Sequence, residues 1–149
     1  MVTHQSTKTT EILLVEDNHG DTRLIKEAFR EYQEKINLHV VDNGENALEF
    51  IFRKGKFSNV RHPDLILLDL HLNNGLSGLE VLKEIKSNNK TVCIPVVILT
   101  SSKNDKDIMK AYDYHANCFI SKPLDLSKCV SVINEIGYFW FNIVKLPQE

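Results

Sequence analysis

Acidic, hydroxyl and basic side chains stand at the ends of four short apolar segments of this 149-residue chain. They are Glu16, Asp17, Asp69, Thr100 and Lys122. Three carboxylates brought close together repel one another, and at least one is driven towards protonation unless a cation lies between them. Mg²⁺ removes that conflict, because it binds one or two carboxylates together with waters and phosphoryl oxygens. These residue types therefore predict a magnesium-dependent phosphoryl chemistry.

The predicted metal site uses oxygen ligands only. Asp17 and Asp69 are expected to bind Mg²⁺ directly, and Glu16 is expected to contact it through water. The main-chain carbonyl of His71, two residues after Asp69, is expected to complete the shell.

The predicted phosphoryl site uses the remaining groups. One oxygen of Asp69 stays free to attack phosphorus, since an aspartyl carboxylate is a known phosphoryl acceptor. The ammonium of Lys122 is expected to stabilise the phosphoryl charge on the side away from the metal, and the hydroxyl of Thr100 to donate to a third phosphoryl oxygen.

The elements that must position these residues alternate between strand and helix five times. Predicted strands cover 12–15, 38–41, 65–69, 96–100 and 118–120. Apolar residues recur at helical spacing within 24–32, 47–52, 79–85, 108–112 and 130–136. Asp21 is a candidate cap for the first helix, Gly78 opens the third, and the fifth begins near Asp125 or Ser127.

The strand segments are continuous apolar runs, which is typical of a parallel sheet covered by helices on both faces. We therefore predict an α/β fold, a doubly wound five-stranded parallel sheet in the flavodoxin-like order 2-1-3-4-5. Ligands of such sheets bind beyond the carboxyl ends of the strands, near the first and third. All the residues proposed for chemistry should then meet at that edge.

Composition excludes several function classes. A net charge of −2 with scattered lysines offers no basic face for nucleic acid. No apolar run reaches the roughly 18 residues of a membrane span, and residues 1–10 lack the apolar stretch of a secretory signal. We expect a flexible lead-in at 1–10 and a cytoplasmic protein. Cys93, Cys118 and Cys129 are expected to be reduced, buried thiols.

Four sequence motifs carry a resemblance to a known family. They are LLVEDN at 13–18, LLDL at 67–70, LTS at 99–101 and SKP at 121–123. In this order the chain resembles response-regulator receiver domains of the CheY-like superfamily, from about Glu11 to Ile136. We accordingly expect a receiver domain at 11–137 and a C-terminal extension at 138–149.

The resemblance implies a role for each matched residue. Asp69 would accept a phosphoryl group from the phosphohistidine of a histidine kinase, residues 16–17 would be the acidic pair, and Lys122 would contact the phosphoryl group. Thr100 would be the switch hydroxyl and Phe119 the switch aromatic, reshaping the face of the fourth helix, fifth strand and fifth helix. Such a domain promotes its own phosphorylation and dephosphorylation and is not otherwise an enzyme.

The C-terminal segment YFWFNIVKLP at 138–147 narrows the resemblance. Together with 112–114 and 117–119, it resembles the single-domain regulators paired with bacterial phytochrome kinases, which commonly dimerise through this region. We expect the segment to extend the last helix and to contribute, with the face described above, to a homodimer. Since no effector segment is expected after it, output should be a protein contact or phosphoryl relay, without DNA binding.

The chain departs from the usual pattern in two places, the first acidic position and the loop after Asp69. Glu16 stands where many receivers have Asp. In the loop 70–78, Asn73 replaces a usual proline, and the loop holds one residue more before Gly78. The family also has a cis bond before the proline that matches Pro123.

Three alternatives stay open at this point. A magnesium-dependent phosphatase of the haloacid-dehalogenase type needs a second Asp two residues after the nucleophile, where this chain has His71. A flavin carrier needs a phosphate loop after the first strand, where Glu16 and Asp17 would repel a phosphate that lacks a metal. A degenerate receiver would serve only as an interaction module.

Overall fold

The computed structural model describes residues 9–122 and 125–147, and their strands form one parallel sheet. The strands are β1 (Thr10–Val15), β2 (Ile36–Val41), β3 (Leu65–Leu68), β4 (Val96–Thr100) and β5 (Cys118–Ser121). Their order is β2-β1-β3-β4-β5. The predicted fold class is confirmed, and Thr10, assigned to the lead-in, is instead the first residue of β1.

Helices follow each strand, as predicted. They are α1 (His19–Ala28), α2 (Gly44–Ile51), α3 (Gly78–Lys86), α4 (Asp105–Asp113) and α5 (Leu126–Gly137). Each begins at a polar cap whose side chain accepts a backbone N–H of the first turn, namely Asn18, Asn43, Ser77, Asn104 and Asp125. The prediction of Asp21 as the first cap is wrong, because Asn18 accepts the N–H of Asp21.

The sheet separates two apolar cores because successive strand residues point to opposite faces. On β1, Leu13 and Val15 pack with α2 and α3, while Ile12 and Leu14 pack with α1 and α5. All four side chains are fully buried. The sheet is thus fixed from both sides, and the carboxyl ends of its strands form a rigid edge.

Helix α4 is the exception to this close packing. Within α4, all of whose residues the structure describes, only Ala111 is buried. The apolar positions Met109 and Tyr112 are 65% and 47% exposed. Apolar burial therefore contributes little to holding this helix in place.

The C-terminal segment divides between the core and the surface. Residues Tyr138–Ile143 form a π-helical segment after α5 rather than a simple α-helical extension. Trp140 is buried in the core, and the ring of Phe141 meets the ring of Tyr32 edge-on at 5.6 Å. Tyr138, Phe139 and Ile143 are at least half exposed.

Some predictions concern residues outside the described ranges, and others are contradicted by the structure. Residues 1–8 and Pro123, and with them most of the lead-in and the expected cis bond, lie outside the described residues. The three cysteines are free, but Cys93 is exposed and Cys118 is half-buried, so only Cys129 fits the prediction of a buried thiol. In the described ranges no helix has the length and apolar character needed to cross a membrane.

Candidate functional site

Three carboxylates meet at the carboxyl edge of the sheet. Val15 of β1 pairs with Leu68 of β3, so the residues that follow them leave the sheet side by side. One oxygen from each of Glu16, Asp17 and Asp69 lies within 4.8 Å of the others. Glu16 and Asp69 are buried, and Asp17 is half-buried. This is the convergence that the strand order predicts.

Lys122 follows β5 and reaches into the carboxylate cluster. Its backbone N–H donates to the carbonyl of Thr100 at 2.7 Å, which continues the pairing of β5 with β4. Its ammonium contacts Glu16, lies 2.9 Å from Oδ2 of Asp69 and lies 2.8 Å from Oδ2 of Asp21. Since the Lys122 side chain is only 6% exposed, the ammonium is the main counter-charge to the acids here.

Asp21 is the site residue that the sequence analysis missed. It was assigned as a cap, but it lies in the first turn of α1 and turns its carboxylate towards Lys122. The sequence contains a signal for this role. Asn18, three residues earlier, is a better cap, so Asp21 is not needed as one. Asp21 also comes one helical turn after the acidic pair, which places its carboxylate near theirs.

Burial and charge shift the pKa values of the three central groups. Burial, reinforced by the charge of Asp69, raises the pKa of Glu16 to about 7 against the opposing contact with Lys122. Burial would also raise the pKa of Asp69, but hydrogen bonds from Lys122, Thr100 and the His71 N–H outweigh it and lower that pKa. Burial opposes the charge of Lys122, yet its three carboxylate partners raise its pKa above the ordinary value.

Thr100 lies beside Asp69, as predicted. Its side chain is fully buried, and its hydroxyl is close enough to the Asp69 carboxylate to help lower the pKa of that acid. Its oxygen also accepts the backbone N–H of Ser102 at 3.4 Å. The hydroxyl therefore connects the acid to the loop between β4 and α4.

The loop 70–78 is fixed by backbone donors to acids of the site and of α2. The N–H of His71 donates to Oδ1 of Asp69 at 3.0 Å, and that of Asn73 donates to Oδ2 of Asp17 at 2.8 Å. The N–H of Leu76 donates to Glu45 at 2.7 Å, after a left-handed residue at Gly75. The role of the His71 carbonyl as a metal ligand stays a prediction.

Phe119 lies in β5, away from the carboxylates. Its side chain is half-buried against the core that includes α3 and α4, and its backbone N–H donates to the hydroxyl of Tyr112 at 3.1 Å. A partly buried aromatic in this place fits both a structural role and the predicted switch role, so the switch stays a prediction.

The donor set of this edge fits a hard divalent cation. All candidate side-chain ligands are carboxylate oxygens, the type that Mg²⁺ prefers. Three carboxylates meet here with one nearby ammonium, that of Lys122, so negative charge is in excess whenever all three are ionised. A second cation at the cluster would relieve that excess.

A comparison with protein families agrees with the fold. The family described as response regulator receiver domain matches residues 12–134, which is most of the chain. The chain belongs to this family of response-regulator receivers. Receivers are the phosphorylation domains of two-component signalling systems and bind a divalent metal ion.

Relatives of this receiver include single-domain regulators. The response regulator Rcp1 of a Synechocystis species is 39% identical over 136 residues, which cover 91% of this chain and 92% of that protein. The phosphorylated cyanobacterial phytochrome response regulator RcpA has 40% identity and a TM-score of 0.90, over 95% of this receiver and 100% of that chain. The Mn²⁺-bound form of Rcp1 has 38% identity and a TM-score of 0.87, over 93% and 99%.

Proposed function

We propose that this receiver is a response regulator whose Asp69 accepts a phosphoryl group from the phosphohistidine of a histidine kinase, with Mg²⁺ bound beside it. One observation carries the proposal. The carboxylate of Asp69 accepts a hydrogen bond from the ammonium of Lys122 at 2.9 Å, lies beside the hydroxyl of Thr100, and is next to two further acids. These are an acceptor and two donors that a phosphoryl group can share.

The proposed step forms one bond and breaks one bond. An oxygen of Asp69 bonds to phosphorus while the bond from phosphorus to the kinase histidine nitrogen breaks, and that nitrogen keeps the electron pair. The lowered pKa of Asp69 keeps it as the carboxylate that attacks. Lys122 and Thr100 then lie within reach of two phosphoryl oxygens and stabilise their charge.

Glu16, Asp17, Asp69 and the carbonyl of His71 would hold the ion. When bound, Mg²⁺ would supply positive charge that stabilises the phosphoryl oxygens. The backbone donors of His71 and Asn73 keep Asp69 and Asp17 oriented for this purpose.

Phosphoryl uptake from acetyl phosphate and from a phosphorylated histidine kinase tests the proposal. Intact mass should show one phosphoryl group per chain with Mg²⁺ and almost none with a chelator, and peptide mapping should locate it on Asp69. Uptake at another residue would overturn the assignment. Repeated hydrolysis of phosphate esters would instead support the phosphatase alternative, and absence of uptake from either donor would support the degenerate module.

Affinity for Mg²⁺ is expected to rise with pH and to level off above about pH 7, the pKa of Glu16. A raised carboxyl pKa means that the metal-free folded protein keeps this proton up to that pH, so binding must release it at lower pH. Calorimetric titrations in two buffers of different ionisation enthalpy measure the released protons. Glu16→Gln should bind more weakly and remove most of this pH dependence, and an unchanged dependence in that variant would assign the proton elsewhere.

The kinase partner is proposed from the relatives. RcpA is described as a phytochrome response regulator, and we extend a phytochrome-type histidine kinase to this chain as its phosphodonor. A cytoplasmic location and an output without DNA binding belong to the same proposal. The net charge of −2 supports the second of these, because it offers no basic face for DNA. Faster phosphotransfer from a phytochrome-type kinase than from an unrelated histidine kinase is the expected result.

We also propose that the receiver forms a homodimer through its C-terminal segment and the face of α4, β5 and α5. The support is the exposed apolar surface of Tyr138, Phe139 and Ile143 next to that face. Phe139→Ser combined with Ile143→Ser should shift sedimentation towards the monomer. Val92→Ser, a change at an exposed apolar residue before β4, is the matched control and should leave the assembly unchanged. Equal behaviour of the two proteins would contradict this interface.

A further inference from the structure

A series of hydrogen bonds and one contact between a histidine ring and a carboxylate joins the proposed phosphorylation site to α4. The N–H of His71 donates to Asp69, and the His71 ring lies 3.4 Å from Oδ2 of Asp107 in α4. The hydroxyl of Ser102 donates to the same oxygen of Asp107 at 2.7 Å. The N–H of Ser102 donates to Oγ1 of Thr100 at 3.4 Å, and this hydroxyl lies close enough to Asp69 to help lower its pKa.

Residues of two different loops contact Asp107. His71 belongs to the loop between β3 and α3, and Ser102 belongs to the loop between β4 and α4. Both loops border Asp69, and both contact the same carboxylate oxygen. Asp107 itself is more than 30 positions from Asp69 in sequence and has no contact with the acids of the metal cluster among those the structure describes.

These polar contacts matter more for α4 than they would for another helix. Only one α4 residue is buried, so little apolar surface fixes its position. The loss of a hydrogen bond should therefore change the position of α4 more than it would change a well-packed helix.

We propose that Asp107 is a positioning residue that holds both loops and the first turn of α4 in their unphosphorylated arrangement. This inference rests on the proposed function, since it assigns a coupling role around the proposed acceptor. A phosphoryl group on Asp69 offers Thr100 stronger acceptors than the carboxylate does. If the Thr100 hydroxyl turns towards the phosphoryl oxygens, the N–H of Ser102 either loses Thr100 as its acceptor or moves with it. Asp107 then transmits the movement of Ser102 to α4.

The prediction is that Asp107→Ala favours the phosphorylated arrangement by weakening the unphosphorylated one. Backbone amide exchange at 102–110 should become about three- to tenfold faster, the range expected for one or two lost hydrogen bonds. Phosphoryl uptake from acetyl phosphate should rise about threefold for the same reason. Asp105→Ala is the matched control, because it removes an exposed carboxylate from the same turn of the same helix.

Ser102→Ala removes the hydrogen bond from Ser102 to Asp107 and serves as the second variant. Amide exchange should rise in this variant too. Oγ of Ser102 also accepts the N–H of Asn104 at 3.3 Å, so the double variant with Asp107→Ala should exceed Asp107→Ala. The excess should be less than the full effect of Ser102→Ala, because both changes remove the same hydrogen bond between Ser102 and Asp107. Circular dichroism and thermal unfolding establish that each variant is folded.

The outcomes separate the two proposals. Equal exchange and uptake in Asp107→Ala and Asp105→Ala would overturn the positioning role, and so would additive effects in the double variant. Absence of uptake in the wild-type protein would overturn the proposed function, while amide exchange would still report whether Asp107 ties the loops to α4.

Discussion

Replacing Asp69 with asparagine is expected to abolish phosphoryl uptake. The amide oxygen is neutral and a poor nucleophile, so no acyl phosphate forms at this position. The change also removes one of the three carboxylates that would hold Mg²⁺. Intact mass after incubation with acetyl phosphate and Mg²⁺ should show an unmodified chain, where the wild-type protein gains one phosphoryl group.

The fold should survive this change, which makes the loss of uptake interpretable. Lys122 keeps Glu16 and Asp21 as partners, and the repulsion between Asp69 and Glu16 disappears. The pKa of Glu16 should therefore fall in Asp69→Asn, as measured by NMR titration of its side-chain carboxyl. Asp113→Asn, at an exposed carboxylate of α4, is the control and should be phosphorylated normally. Stoichiometric uptake by Asp69→Asn would rule out Asp69 as the acceptor.

Replacing Gly78 with alanine is expected to destabilise the protein and to damage the site together. A Cβ atom at this position would lie 2.1 Å from the backbone oxygen of Asp69 and 2.5 Å from Cα of Leu70. Backbone atoms cannot rotate away as a flexible side chain can, so the loop after β3 must move. Overpacking of this kind costs about 1–3 kcal/mol and sometimes more, which thermal or urea unfolding measures.

The displacement also predicts a functional loss. Asp69 is the proposed acceptor, and a shifted backbone would misorient its carboxylate relative to Lys122 and Thr100. Phosphoryl uptake should therefore slow even at temperatures where Gly78→Ala is fully folded.

Gly20→Ala is the matched change in α1, near the start of another helix. Its Cβ would meet only the Asn18 side chain, at 3.2 Å, and alanine favours helices by about 0.5–1 kcal/mol over glycine. Stability of this variant should stay near that of the wild-type protein or rise slightly. If Gly78→Ala were equally stable, the close approach of α3 to Asp69 would not constrain the fold.

The sheet and its reactive edge could be predicted from sequence because both depend on backbone order. Continuous apolar runs identify buried parallel strands, and the strand order then brings Glu16, Asp69 and Lys122 together whatever their side chains do. The distances among these three residues agree with that prediction. The bounds of individual elements differ by one or two residues; for example, β1 begins at Thr10 and β2 at Ile36, each two residues before the predicted start.

The contacts made by helix side chains could not be predicted in the same way. Asp21 and Asp107 both lie in first helical turns, where an acid serves equally well as a cap, as a favourable charge at the helix N-terminus or as a partner for a distant residue. Only the rotation of each helix about its axis decides among these roles. The apolar pattern does not fix that rotation for α4, where Met109 is 65% exposed.

The C-terminal segment was predicted as a surface, and it is only partly one. Adjacent aromatic residues cannot all face one side of a helix, so the sequence indicated that some are exposed. It did not indicate which ones, because the change from α-helix to π-helix at Tyr138 alters the direction of every later side chain. Trp140 therefore joins the core, while Phe139 does not.

Because of the π-helical segment, the number of residues in this region, as well as their types, decides which side chains face outward. The N–H of Val144 donates to the carbonyl of Phe139 at 2.8 Å, one residue further than in an α-helix. Deleting one residue between Trp140 and Val144 would restore the α-helical pattern and rotate everything beyond the deletion around the axis. Insertions and deletions here thus offer an evolutionary route to a new partner preference without changing a single aromatic residue.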